Sequence, residues 1–364
     1  MHITIDSCIN EVLSKYFSEP VLNYHSYGNG HINDTFLVET ENGKYVLQRM
    51  NTSVFKNPGA LMQNIVGVTE HIRRKVLTLG MDPAKATVSV VLTFDGASFC
   101  TDSLGGCWRL LEYTDSSFTL EQVSSPRDFY NCAKAFGTFQ ELLSDYPAHT
   151  LHNTIENFHN TPWRYGNLAA AVEKDACGRV ADVLPEIEFA RERREFCQTL
   201  ERAFESGKMP LRVTHNDTKL NNVLFNVNTK EPICVVDLDT VMPGYSVNDF
   251  GDAIRFGANT AVEDETDLSK VSLDLTLFEA FAKGFLESCG DSLTDAEIGL
   301  LPVGAMMMTL ECGMRFLTDH IEGDTYFKIH RPGHNLDRAR CQFALVADME
   351  RKLDDMNAII NKIR

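Results

Sequence analysis

The sequence predicts an α+β chain in two parts: a smaller antiparallel-sheet region over residues 1–111, and a larger, mostly helical region over residues 112–364. Three observations predict this. Residues 21–111 carry short runs rich in β-branched and aromatic residues, punctuated by Gly, Asn and Asp. From Ser125-Pro126 onward, apolar residues recur mainly at helical spacing. Between Leu211 and Asp252 that pattern gives way to three polar motifs set around short apolar runs.

In chain order, residues 6 to 17 read as a short helix that Asp6 or Ser7 can cap, with Val12, Leu13, Tyr16 and Phe17 at helical spacing. Val21 to Tyr27, Thr35 to Glu39 and Tyr45 to Met50 read as strands, the last two joined by a Glu41-Asn42-Gly43 turn. Between the first two lies Gly28-Asn29-Gly30-His31-Ile32-Asn33. Its composition suits either a hairpin loop or a loop whose backbone approaches an anion closely. Pro58 to Leu79 reads as a helix, with Pro58 near its start and Gly80 at its stop. Thr87 to Phe94, Phe99-Cys100 and Trp108 to Leu111 continue the sheet. Phe129, Ala133, Phe136, Phe139 and Leu143 mark one face of a helix. His159 to Tyr165 reads as an aromatic, polar loop, and Pro185 to Glu205 as one long charged helix whose run Arg191 to Arg194 is a solvated face. Helical segments follow over 266–288, 294–322 and 336–363. Thr294 and Glu297 have capping-box spacing, and Met306 to Met308 read as core filler.

The net charge of -17 argues against nucleic acid or an anionic membrane as partner, since both demand a basic face. It leaves a nucleotide substrate open, which needs only a few local cations. The ten cysteines form no C-x-x-C pair, and no apolar run reaches 18 residues. These features point to a reducing, cytoplasmic setting.

The chemistry lies in Leu211 to Asp252. His215-Asn216-Asp217 is followed by Asn222, and Asp237-Leu238-Asp239 ends the apolar run Ile233-Cys234-Val235-Val236; Asp249-Phe250-Gly251-Asp252 comes third. Phosphoryl transfer needs a carboxylate that orients the attacking hydroxyl and accepts its proton. It also needs oxygen ligands that hold Mg²⁺ against the nucleotide phosphates. The spacing assigns Asp217 to the first task and Asn222 and Asp237 to the second. Val223-Leu224-Phe225 and Ile233 to Val236 read as a hairpin that brings both motifs to one edge of a sheet. The D-F-G string alone would make Asp249 the metal ligand, but an Asp at the end of an apolar strand favours Asp237.

The form H-N-D-x-x-x-x-N with D-L-D resembles the aminoglycoside phosphotransferase and choline kinase superfamily of small-molecule kinases. The stretches YGNGHINDTFLV, VLQRMNTSVF, LRVTHNDTKLNN, DLDTVMPG, DFGDAIRFGA, DLSKV and ECGMRFLTDHIEGDTYF resemble, more narrowly, the N-acetylhexosamine 1-kinases. They run from near residue 27 to near residue 340. The resemblance implies a two-lobed protein-kinase-like fold with a hinge near 112–114. It also implies ATP as co-substrate, Mg²⁺, and transfer to the anomeric hydroxyl of GlcNAc or GalNAc. Gly28 and Gly30 would then cover the phosphates, Glu112 and Tyr113 would read the adenine edge, and Asp249 would hydrogen-bond the catalytic-loop backbone. His31, Asn33, Phe256, Arg315 and Tyr326 match positions near the sugar. Taken by themselves, His31 also suits a capping or loop role, Phe256 core packing and Arg315 a buried salt bridge.

One departure stands out. Tyr45-Val46-Leu47-Gln48 places Gln48 where a kinase carries its phosphate-contacting Lys, and Arg49 then points to the opposite strand face. Lys219 is the candidate replacement cation, with a solvated loop lysine as its alternative reading. A related kinase with a different sugar, aminoglycoside or amino alcohol as acceptor is a second reading of the whole. A catalytically silent nucleotide-binding scaffold, supported by Gln48 alone, is a third.

Overall fold

The computed structural model describes residues 5–28 and 32–364. The chain divides into two compact units. One takes Met1–Phe118, Asp145–Glu156 and Leu224–Met242; the other takes Thr119–Ser144, Asn157–Val223 and Pro243–Arg364.

The first unit is a sheet with helices. Strands β1 (Asn23–Ser26), β2 (Asp34–Thr40), β3 (Gly43–Met50), β4 (Val90–Val91), β5 (Cys100–Thr101) and β6 (Cys107–Glu112) lie in the order β1-β2-β3-β6-β4, with β5 also on β6. All pairings are antiparallel. The β3–β6 register sets Gln48 directly beside Arg109. Helix α1 (Ile5–Leu13) buries Cys8, Ile9, Val12 and Leu13 with Val38, Leu47, Trp108 and Leu110 of the sheet. Helix α2 (Pro58–Thr78) opens where Asn57 accepts from the Ala60 amide and stops before Gly80, whose φ of +71° suits a residue without Cβ. The strand expected over Thr87 to Phe94 shrinks to β4. The Thr93 hydroxyl accepts from the Ala97 amide, which turns the chain instead. The expected hairpin forms from Val223–Asn226 and Pro232–Val235, with Ser117–Phe118 on its free side. The Asn226 side chain closes its turn by accepting from the Asn228 and Thr229 amides.

The second unit holds helices α3 (Pro126–Leu142), α4 (Thr161–Lys174), α5 (Leu184–Glu192), α6 (Thr199–Glu205), α7 (Ser246–Gly257), α8 (Leu275–Cys289), α9 (Asp295–Gly299), α10 (Leu301–Ile321), α11 (His334–Arg351) and α12 (Leu353–Ile363). Phe129 of α3, Phe250 of α7 and Phe278, Phe281 and Phe285 of α8 form an aromatic core. Helices α7 and α10 meet backbone to backbone. A Cβ on Gly251 would overlap the Gly304 carbonyl, and one on Gly304 would overlap that of Val247.

Several sequence expectations are corrected here. His159 to Tyr165 is not a loop throughout, because Asn160 caps the Trp163 amide and Pro162 sits in the first turn of α4. Pro185 to Glu205 is not one helix. The chain breaks after Glu192 and tucks Phe196 and Cys197 into the core before α6 starts. Arg193 is not simply solvated: it lies over the Phe189 ring and forks onto Glu350. The segment 266–288 becomes helical only at Leu275, where Asp274 caps it. The segment 294–322 breaks at Leu300, ahead of Pro302, although its capping box forms as expected. The segment 336–363 breaks at Lys352, whose ammonium turns back to Ser272 and the Leu273 carbonyl. Met306 to Met308 are buried, and all ten cysteines are free thiols. Among the described residues no helix is long and apolar enough to cross a membrane.

Candidate active site

The loop that carries Asp217 follows the strand Arg212–Thr214. His215 is fully buried, edge-on to Phe136 and Phe139 of α3, so it serves as a packing anchor. Asn216 takes a left-handed conformation, φ +64°, which turns Asp217 out of the strand direction. Asp249, on α7, fixes this turn. Its carboxylate accepts from the amides of Asn216 at 2.7 Å and His215 at 2.8 Å, and from Gln140 Nε2 at 2.7 Å. Burial pushes the Asp249 carboxyl up from its ordinary value, against the three donors that favour its ionised form. The close Gly251–Gly304 approach sets the depth of α7 and so places Asp249 and Asp252. Asp252 accepts from the Thr218 amide at 3.1 Å and pairs with Arg255 at 3.0 Å.

The Asp217 carboxylate is about a quarter exposed. Lys219 Nζ lies 2.7 Å from its Oδ1, and Asn222 Nδ2 lies 3.2 Å from its Oδ2 and 2.8 Å from the Asp217 carbonyl. Desolvation lowers the Lys219 pKa, but the charges of Asp217 and Asp252 outweigh it and hold the ammonium above its ordinary value. A carboxylate has about four lone-pair sites, so these two partners leave room for a substrate hydroxyl. Because the Asn222 nitrogen is committed to Asp217, its amide oxygen is the atom left for a cation. Asp237 ends the hairpin in a left-handed conformation, φ +57°, which is costly for a residue with a Cβ. Each of these residues offers an oxygen donor of the kind Mg²⁺ takes, a hard cation that keeps some of its water. No group of three or more His, Cys, Asp or Glu among the described residues is arranged to hold a metal by itself.

His159 was left without a role by sequence reasoning. Its Nδ1 lies 2.9 Å from Glu311 Oε1 and its Nε2 lies 3.0 Å from the Asn216 carbonyl. Both partners are acceptors, so the ring needs both N–H groups and is an imidazolium. Burial works against that charge; the Glu311 carboxylate overcomes it and raises the pKa. Histidine in a segment of uncertain structure gave no signal for this.

The residues matched to the sugar fall as follows. Arg315, on α10, lies over the rings of Phe158 and Phe327, 5.5 Å from each centroid. It makes no hydrogen bond or ion pair among the described residues. Beside it is Arg164, missed in the sequence, which donates to the Phe158 carbonyl while its buried Nε has no partner among the described residues. Burial, and then the charge of Arg315, pull the Arg164 guanidinium down to about 10. Glu311, the nearby carboxylate, is already taken by His159 and Thr161. Tyr326 is 66% exposed, on a loop held by buried Asp319, which accepts from the amides of Thr325, Tyr326 and Phe327. Phe256 is 37% exposed near the end of α7.

In the first unit, Asn33 has both ends of its amide engaged. Nδ2 donates to Asp239 at 2.7 Å, and Oδ1 accepts from the Asn51 amide at 3.0 Å. Gln48 is engaged likewise, by Thr35 and Arg109. Gly28 has φ +76° and open space where a Cβ would stand. The N–H of Glu112 donates to the Ser89 carbonyl and that of Tyr113 to the Lys44 carbonyl. Gly30 and His31 lie outside the described residues.

Residues 24–273 match the phosphotransferase enzyme family, and the chain belongs to that family. Its fold is that of the aminoglycoside phosphotransferases. An aminoglycoside phosphotransferase from Alicyclobacillus acidocaldarius superposes with a TM-score of 0.63 at 13% identity, over 97% of this chain and 96% of that one. A microcompartment-associated aminopropanol kinase superposes at 0.60 with 17% identity, over 96% and 98%. The GDP complex of wild-type aminoglycoside 2'-phosphotransferase-IIIa superposes at 0.54 with 16% identity, over 92% and 97%. The chain is thus a member of the phosphotransferase enzyme family with the aminoglycoside phosphotransferase fold.

Proposed function

We propose that this phosphotransferase uses ATP and Mg²⁺ to phosphorylate the anomeric hydroxyl of N-acetylhexosamines, giving the sugar 1-phosphate. The observation that carries the acceptor class is the pairing of Arg164 with Arg315 among aromatic rings. Aminoglycosides, choline and amino alcohols are cations, and two neighbouring guanidinium groups without a free carboxylate repel them. A neutral sugar instead offers hydroxyl and N-acetyl oxygens to those donors, and its apolar face to Phe158, Tyr326 and Phe327. The subfamily resemblance of the sequence then narrows the acceptor to GlcNAc or GalNAc. In this reading Arg315, Tyr326 and Phe256 are the sugar contacts of the second unit, and the sequence resemblance adds His31 and Asn33 to the candidates.

Asp217 orients the anomeric hydroxyl and takes its proton as the new O–P bond forms. Lys219 balances charge at the phosphoryl group as the bond to ADP breaks. Asn222 and Asp237 would hold Mg²⁺, which supplies neutralisation of the phosphate charge. By the same resemblance Gly28, Gly30, Gln48, Glu112 and Tyr113 would belong to the nucleotide side. GDP-bound relatives support nucleotide use. Most of the rate enhancement comes from positioning and fixed charge.

The test is ADP release from ATP and Mg²⁺ across free hexoses, N-acetylhexosamines, aminoglycosides, choline and ethanolamine. Turnover is expected on GlcNAc or GalNAc, with an acid-labile, non-reducing product. Turnover confined to amine acceptors would overturn the assignment.

A further inference from the structure

We propose that Arg109 and Asp239 form the charged lock that the missing strand lysine would otherwise anchor, with Arg109 a positioning residue for the loop that carries Asp237. The inference rests on the kinase reading above.

The cation absent at position 48 stands one strand away. Gln48 and Arg109 are register partners on β3 and β6. The Gln48 amide oxygen accepts from Arg109 Nε at 2.9 Å and Nη2 at 2.7 Å, which turns the guanidinium so that Nη1 meets the Asp239 carboxylate. The other Asp239 oxygen accepts from Asn33. Arg109 is 2% exposed and Asp239 3%. A buried pair is sound only when every donor and acceptor around it is matched, and here the neutral amides of Gln48 and Asn33 complete the set. The loop is held by its backbone as well: Thr154 donates to the Asp239 carbonyl, and buried Asn64 of α2 to that of Val241. These contacts keep a stretch that begins with the left-handed Asp237 in one conformation. Gln48 is therefore not a vacancy at the lysine position. It is the group that aims Arg109, and the salt bridge ends on the metal loop itself.

The test is calorimetric titration of the full chain with ADP, with and without Mg²⁺, alongside melting curves. Arg109→Gln is expected to weaken MgADP binding by about 10–100-fold, the usual cost of losing a group that holds a metal ligand in place. Metal-free ADP should stay within about twofold, since Arg109 is buried and its donors meet Gln48 and Asp239. The swap Gln48→Lys/Arg109→Gln returns a cation to β3 beside Asp239 and is expected to recover most of the lost MgADP affinity. Wild-type MgADP affinity in Arg109→Gln would overturn the lock. So would a folded swap variant as weak as the single one, or an equal loss for metal-free ADP. Should Arg109→Gln not fold, the swap decides by the same criterion. A wild-type chain that binds no nucleotide would overturn the kinase reading instead, which separates the two failures.

Discussion

Asp249→Asn tests the assignment of the two acidic motifs most sharply. The carboxylate accepts from two backbone amides and from Gln140. Asparagine keeps the shape but offers one acceptor oxygen and one NH₂ group. If its oxygen stays on the Asn216 amide, its nitrogen faces the His215 amide and Gln140. Gln140 can turn over, since its buried Oε1 has no partner among the described residues, and present that oxygen to the new NH₂ group. The His215 amide cannot turn and is left buried without an acceptor, at about 1–3 kcal/mol. Weakening of the charge-assisted bond to Asn216 adds about 1 kcal/mol. Removing a charge from this buried site returns part of its desolvation cost, the same cost that raises the Asp249 pKa. The net loss is about 2–3 kcal/mol, a fall in melting temperature of roughly 3–4 °C. Turnover falls with the loosened loop, while the Mg²⁺ concentration for half-maximal ADP binding stays put. Asp237→Ala should abolish Mg²⁺-dependent binding. A normal melting curve for Asp249→Asn together with a shifted Mg²⁺ requirement would refute the reasoning and make Asp249 the metal ligand.

Asp217→Asn is expected to lower kcat by about 10²–10⁴-fold with ADP affinity retained; near-normal turnover would remove Asp217 as base. Arg164→Met and Arg315→Met should each raise the acceptor KM by roughly 10–100-fold without moving that for ATP, the worth of a hydrogen bond from a charged donor; an unchanged acceptor KM would take that arginine out of the sugar site. His159 has a raised pKa, so its contribution to stability is full below the ordinary value of 6.5 and is lost as pH rises through the raised one. Denaturant midpoints measured from about pH 6 to 9 should fall in the wild type and show a flatter slope in His159→Gln; equal slopes would sink the imidazolium.

What the sequence revealed, and what it hid, follows from how local each feature is. The hairpin after Asn222 and the capping box at Thr294 are written in adjacent residues, and both form. The role of Asp249 was legible because a motif fixes its place in the chain. Arg109 was not, although a lone charge between Trp108 and Leu110 was a signal. Its meaning appears only when β6 is laid beside β3 and Gln48 becomes its neighbour. His159 and Arg164 lie far in sequence from Glu311 and owe their roles to the packing of α4 and the turn before it against α10. The broken helices were missed for a similar reason. Periodicity continues across Glu192–Thr199 and Leu300, and the kinks answer to tertiary demands on Phe196 and Cys197 and to Pro302.

The first unit is assembled from three separate stretches, the last ending at Met242. During synthesis its sheet strands through β6 have all emerged once residue 118 clears the ribosome. The Asp239 partner of Arg109 arrives roughly 120 residues later, a wait of about 6–25 s at ordinary elongation rates. Through that interval a guanidinium destined for full burial stands without its carboxylate. A nascent chain stopped short of residue 224 would keep it so indefinitely. The unit is thus completed only when its third stretch has emerged, long after its main sheet.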